Sequence, residues 1–286
     1  RRPGRAPAGS AATGTSRRTA FPPGPLLVAA VLSAYAFTEG CRLVLLGAAV
    51  VGAVATVAQY RLYDASNDSI GTSFAGVRTV VDDLRSLPDP LRPLLVGDTL
   101  VRFANGMVYV FFVRVVVDVL AVGATLPVVG ALSPEAYFGV LLGIEMAVAL
   151  LTMVPVARLA RSVGLKPVVA IGFAVYAAFP AMLIFAPPDE TVLAALFAFS
   201  GLRFAGLPAH KALIVGPAKA DAGGRVTGTY YLVRNVITIP SALAGGWLYS
   251  RSPTVAFGLA TIVGLIGVGY FLLRGRDRDN VTNEIV

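Results

Sequence analysis

Along this chain, apolar runs long enough to cross a bilayer alternate with short polar connections rich in arginine. A hydrocarbon core about 30 Å thick needs roughly 20 apolar residues at a rise of about 1.5 Å each. Eight runs approach that length: 21–38, 42–60, 100–122, 136–156, 167–186, 191–210, 226–249 and 254–273. The first is the weakest, since it opens FPPGP. The pattern predicts an all-α protein, a polytopic transmembrane bundle of about eight helices.

The longest connection, 61–99, is also the most polar, with YDASNDS near its start and SLPDPLRP near its end. Between these, Phe74, Val77, Val81 and Leu84 fall on one helical face, with Thr79, Asp83 and Ser86 opposite. This predicts a short amphipathic helix lying on the cytoplasmic membrane surface.

Lysine and arginine in the connections set the orientation. With the first span running outward, 19 of the 24 basic residues collect on inside segments, and the outside connections keep only Arg42 and Arg251. Arg114, Arg203 and Arg234 lie within spans. Both termini are therefore expected in the cytoplasm, and the protein in the plasma membrane with the lipid bilayer as its solvent.

Composition agrees. Of 286 residues, 56% are hydrophobic and 14% charged, whereas soluble domains carry about a quarter charged. The net charge of +8 is spread between apolar runs and does not form the aromatic-interleaved patch of a nucleic-acid binder. A single cysteine, Cys41, excludes an internal disulfide framework, and no His/Cys cluster has metal-ligand spacing. No cofactor is expected beyond a coupling proton. Residues 1–20 open on Arg1, lack the apolar region of a signal peptide and read as a disordered basic tail of an incomplete chain.

The order of two spans, a long cytoplasmic loop and six further spans resembles the major facilitator superfamily, whose members join two six-helix halves by such a loop. The outside turn TEGCR is similar to the family's Gly-Trp-Arg turn, with Cys41 in the tryptophan's place. The turn ARLARSVGLKP resembles the family's Gly-x-x-x-Asp-Arg-x-Gly-Arg-Arg/Lys turn: Gly164 and Lys166 match, while Ala157 and Arg161 replace the first glycine and the acid. The stretch 224–248 is similar to the family's eleventh helix, ending Pro-x-x-x-x-Gly-Gly at Pro240, Gly245 and Gly246. Gly24 and Pro25 resemble the start of an exporter signature whose two glycines are here Val28 and Ala29.

The resemblance covers 21–278 and implies a domain organisation. Residues 21–60 would be the last two helices of the N-terminal half, 61–99 the interdomain loop, 100–273 the C-terminal half and 274–286 a cytoplasmic tail. Four helices would precede Arg1. It also implies transport of a small solute by alternating access about a central site.

Charges inside spans are the candidate site residues, because they cost at least about 2.5 kcal/mol on insertion scales and usually face the bundle interior or water. Arg234 shares a helical stripe with Thr227, Tyr230, Tyr231, Thr238, Ser241 and Gly245, opposite Leu232, Val236, Ile239, Leu243 and Trp247. Asn235, about 100° round from it, is expected to bond a neighbouring helix. Arg203 shares a face with Gly206 and His210, and His210 reads as a polar residue at the cytoplasmic interface. Glu145 is the one acid deep in an apolar run. Low dielectric favours a neutral carboxyl, so Glu145 either exchanges a proton or is held ionised by Arg114, Arg203 or Arg234.

Arg114 and Asp118, four residues apart, are placed to pair near the outer end of their helix. Asp98, Arg102, Asn105 and Tyr109 form another stripe, expected at the cytoplasmic gate together with the Gly164–Lys166 turn. Arg114, Arg203 and Arg234 outnumber Glu145 and Asp118, which suits an anionic solute.

The leading expectation is a secondary transporter. The alternative is a non-transporting membrane scaffold or sensor in which these charges only hold helices together. One histidine and one cysteine make an enzyme improbable, and no phosphate-binding Gly-x-x-x-x-Gly-Lys-Ser/Thr loop is present. Oligomeric state is not legible.

Overall fold

The structure is a computed structural model that describes residues 27–28, 30–31, 34–35, 37–62, 77–85, 87–126, 130–216 and 223–275. The expected basic tail 1–20, most of the first span, the start of the long connection and the end of the C-terminal tail lie outside the described residues.

Helix α1, Phe37–Leu62, contains the TEGCR stretch in its first turn. The expected turn is therefore not there: Arg42 bonds Glu39 one helical turn back at 3.2 Å, and an acid in the first turn suits the helix dipole. Helix α2, Val77–Arg85, is the amphipathic helix expected in the long connection.

Helix α3 begins at Leu91, nine residues ahead of the expected span. SLPDPLRP reads as a loop, but Pro93 falls in the first turn, where backbone N–H groups have no intrahelical acceptor and a proline does no harm. The rod runs from Leu91 to Val119. Its last part passes through a 3-10 turn at Tyr109–Phe111, an α turn at Phe112–Arg114 and a π turn at Val115–Val119. A small antiparallel hairpin of β1, Ala124–Leu126, and β2, Gly130–Leu132, closes this end.

Five further segments follow. Helix α4, Pro134–Val163, turns sharply at Gly164, whose φ of 90° suits glycine, into α5, Leu165–Ile184. Helix α6, Glu190–Ala205, breaks at Gly206 and continues as α7, Leu207–Val215. The run expected as one span at 226–249 is two helices, α8, Gly223–Thr238, and α9, Ser241–Arg251. Pro240 cannot donate a backbone hydrogen bond, so the ladder is interrupted there. Helix α10, Pro253–Arg274, ends the bundle.

Six stretches among the described residues are long and apolar enough to cross a membrane: α1, the α3 rod, α4, α5, α6–α7 and α10. Arg92, Arg158, Arg161, Lys166, Lys211 and Arg274 sit at helix ends on the side opposite the hairpin, the side expected to be cytoplasmic.

The core of α3 to α10 has two apolar clusters. Near the hairpin, Phe112, Phe179 and Phe197 meet edge to face, with centroids 5.1 and 5.4 Å apart. Near α2, Leu91, Leu94, Phe173, Ile214 and Phe271 pack together. Buried ionisable groups lie among these apolar layers.

Candidate functional site

Asp98 lies two turns into α3 and is fully buried. Arg102, one turn on, donates from Nε to its Oδ1 at 3.2 Å. Its other oxygen, Oδ2, faces three groups on two further helices. Arg234 Nη1 donates to it at 3.0 Å, the Tyr230 hydroxyl donates at 3.0 Å, and His210 Nε2 lies 3.2 Å away. Thus α3, α7 and α8 converge on one carboxylate. Arg234 also reaches Asn235 Oδ1 from Nε and Nη2 at 3.2 and 2.9 Å, and its guanidinium lies 4.7 Å from the Tyr231 ring centre. Thr229, next to Tyr230, donates to Asp83 of α2 at 3.5 Å, so the same helix touches α2.

A second buried pair joins α4 and α6. Arg203 Nη2 lies 2.6 Å from Glu145 Oε1, and the Ser200 hydroxyl donates to that oxygen. The helices approach because Gly201 has no side chain: a Cβ there would stand 2.5 Å from the Glu145 carbonyl oxygen and 2.9 Å from Val148 Cβ. The rings of Tyr109, Phe112, Tyr176, Phe179 and Phe204 surround the Arg203 guanidinium at 4.7 to 5.9 Å. Among the described residues, its Nε and Nη1 have no hydrogen-bond partner.

Tyr176 of α5 links the two pairs. Its hydroxyl accepts from Arg102 Nη1 at 3.1 Å, and its ring lies beside both Arg102 and Arg203, at 4.8 and 5.0 Å. Charges from α3, α4, α6, α7 and α8 therefore form one neighbourhood.

Among the expected site residues, Asp98, Arg102, Tyr230 and Arg234 are brought together, and Glu145 takes Arg203 rather than Arg114 or Arg234. Among the described residues, the Asn235 side chain accepts from its own neighbour Arg234, whose guanidinium folds back across it. Arg114 and Asp118 pair with each other at 2.7 Å on the exposed, hairpin end of α3, away from both charge clusters. Gly164 makes the α4–α5 turn and Lys166 is half-buried beside it, likewise apart from the charges.

His210 is corrected from an interfacial residue to a buried one. The break at Gly206 and the proline following it turn α7 so that His210 meets Asp98. Ser200 and Tyr176 were not legible as partners. The one signal for His210 was its place on the Arg203 face.

A family model described as Major Facilitator Superfamily matches residues 94–285. The chain belongs to that superfamily. The match takes in α3 from Leu94 onward and all of α4 to α10, so the buried charged residues around Asp98 and Glu145 fall within it. No curated protein and no solved structure matches the chain. Members of the Major Facilitator Superfamily are in general transporters rather than enzymes, multi-pass proteins that meet the lipid bilayer and a small solute. The all-α bundle with its apolar helices agrees with that assignment.

Proposed function

We propose that this protein is a secondary transporter of the cell membrane that moves a small anionic solute by alternating access, coupled to protons. The observation that carries the reading is the crowding of Arg234, Tyr230 and His210 on Oδ2 of Asp98. A carboxylate oxygen has two lone pairs; Arg234 and Tyr230 occupy them, and His210 Nε2 stands 3.2 Å away without a hydrogen bond among the described residues. Histidine is the side chain that changes charge near neutral pH. A proton on His210 strengthens the claim of α7 on Asp98 and weakens that of Arg234 on α8. The groups that face His210 are Asp98 and Arg102 of α3, Phe173 and Tyr176 of α5, Arg203 of α6 and Tyr230 and Arg234 of α8. Exchange of partners between helices is the two-state element that rocking about a central site requires.

On this reading Glu145 is a fixed partner of Arg203, and Asp98 is the carboxylate for which α7 and α8 compete. Arginines 102, 203 and 234 outnumber the two carboxylates they surround, which favours a negatively charged solute. Uptake of labelled organic anions into proteoliposomes of the full-length protein, measured from pH 5 to 8, tests the proposal. His210→Gln should flatten the pH profile while retaining exchange. An unchanged profile in an active His210→Gln protein, or selectivity for cations, overturns it.

A further inference from the structure

Where α2, α3 and α8 meet, the surface holds a furrow of about 390 Å³, within the size range of small-molecule sites. We propose that this furrow is a binding site for one membrane phospholipid, with an acyl chain lying in it and the phosphate on Arg92.

The lining is the first argument. One wall is α3, with Arg92, Leu95, Val96, Thr99 and Leu100 on successive turns of one face. Opposite stand Val233 and Ile237 of α8, and Leu84 of α2 with Leu87 just after it closes the end. Seven of these nine residues are branched aliphatics, and the Thr99 hydroxyl is buried out of a guest's reach. Among the described residues, no aromatic ring or carboxylate lines the furrow to orient a planar or polar solute. Such a wall suits hydrocarbon. It is also open from the side, since Val96 is 39% and Ile237 49% exposed, and Val236 beside it belongs to the exposed apolar stripe of α8.

Direction is the second argument. The furrow follows α3 from Arg92 to Leu100, about 12 Å of helix, and so runs parallel to an acyl chain in a bilayer. Arg92 lies in the first turn of α3, at the end expected to be cytoplasmic, and the aliphatic residues lie deeper. The one charge on the lining therefore stands at the level of lipid headgroups.

The state of Arg92 is the third. Its Nη2 donates to the Arg85 backbone carbonyl at 2.9 Å, which holds the guanidinium at the furrow's end. Its Nη1 lies 3.3 Å from Asp89 in a pair that is exposed on both sides, and exposed pairs contribute little. A phosphate, which arginine grips through two parallel hydrogen bonds, can displace Asp89. The guest would brace α3 against α8, the two helices that Asp98 and Arg234 join deeper in the bundle.

Native mass spectrometry of the full-length protein released from detergent tests this, with titration by phosphatidylglycerol or by an uncharged glycosyl diacylglycerol of the same chains. One phosphatidylglycerol should be held at least tenfold more tightly than those that follow, and the glycolipid should show no such first site. Val96→Trp fills the furrow from a partly exposed position and leaves Arg92 in place, whereas Arg92→Gln removes the charge and leaves the furrow open. Each should weaken the first site at least tenfold. Arg158→Gln, on a helix that takes no part in the furrow, should leave it unchanged. A first site that Val96→Trp does not alter overturns the proposal, as does an equal loss in Arg158→Gln or equal retention of the glycolipid. Absence of any tightly held lipid overturns it too, and leaves the furrow to another helix. Since the readout is lipid occupancy, it succeeds or fails independently of the transport reading.

Discussion

Asp98 of α3 and Arg234 of α8, 136 positions apart in the chain, meet at 3.0 Å with the carboxylate fully buried. That contact ties the start of the matched region to the broken helix pair α8–α9, and it answers why a permanent charge sits inside an apolar run. Arg234 is one of two guanidinium groups on a carboxylate that has no access to water.

Removing that carboxylate leaves Arg102, Arg234 and the Tyr230 hydroxyl around an unfilled position. Breaking a buried charge pair from one side costs about 3–5 kcal/mol. Asp98→Ala should lower stability by that order in denaturant unfolding. The double variant with Arg234→Gln should recover part of the loss, which identifies the pair itself as the cause.

Tyr230→Phe deletes one hydrogen bond to the same oxygen and keeps the ring. A hydrogen bond to a charged group contributes roughly 1.5–3 kcal/mol. A smaller loss than that of Asp98→Ala is expected, together with a shifted pH optimum of uptake, because one of the three competitors for Oδ2 is gone.

Glu145→Gln should depress uptake at every pH without altering the shape of the profile, since it strips Arg203 of its counter-charge and leaves the Asp98–His210 pair intact. Rate measurements across pH 5 to 8 decide this. A profile that goes flat in Glu145→Gln assigns proton exchange to Glu145 instead.

Gly201→Ala places a methyl group within 2.5 Å of the Glu145 carbonyl oxygen. Overpacking of this kind costs about 1–3 kcal/mol. Helices α4 and α6 should be forced apart, lowering the unfolding midpoint and weakening the Glu145–Arg203 pair.

Arg114→Gln serves as the contrast. Its pair with Asp118 lies in the open at the hairpin end of α3, where exposed ion pairs contribute little. Neither the unfolding midpoint nor the pH profile of uptake should move.

Much of the bundle was legible because bilayer thickness and backbone satisfaction leave few options for an apolar run. Boundaries were less so. A proline-rich stretch looked like loop until Pro93 took a place in the first turn of α3, and Pro240 divided a run that length alone made continuous. The stripe through Tyr230, Arg234 and Ser241 was visible from the helical period. The partner on its far side was not, because periodicity orders residues on one helix and carries no information about which helix lies next to it.

That the chain is a membrane-spanning helix bundle of major facilitator character could be read from its residues alone, since the bilayer constrains each apolar run where it stands. The pairing came from the packed bundle: Asp98 with Arg102, Arg234 and His210, and Glu145 with Arg203. The reason is geometric. Two helices share an ion pair only when small residues such as Gly201 let them approach and breaks such as Gly206 and Pro240 aim them, and those effects combine only in the packed bundle.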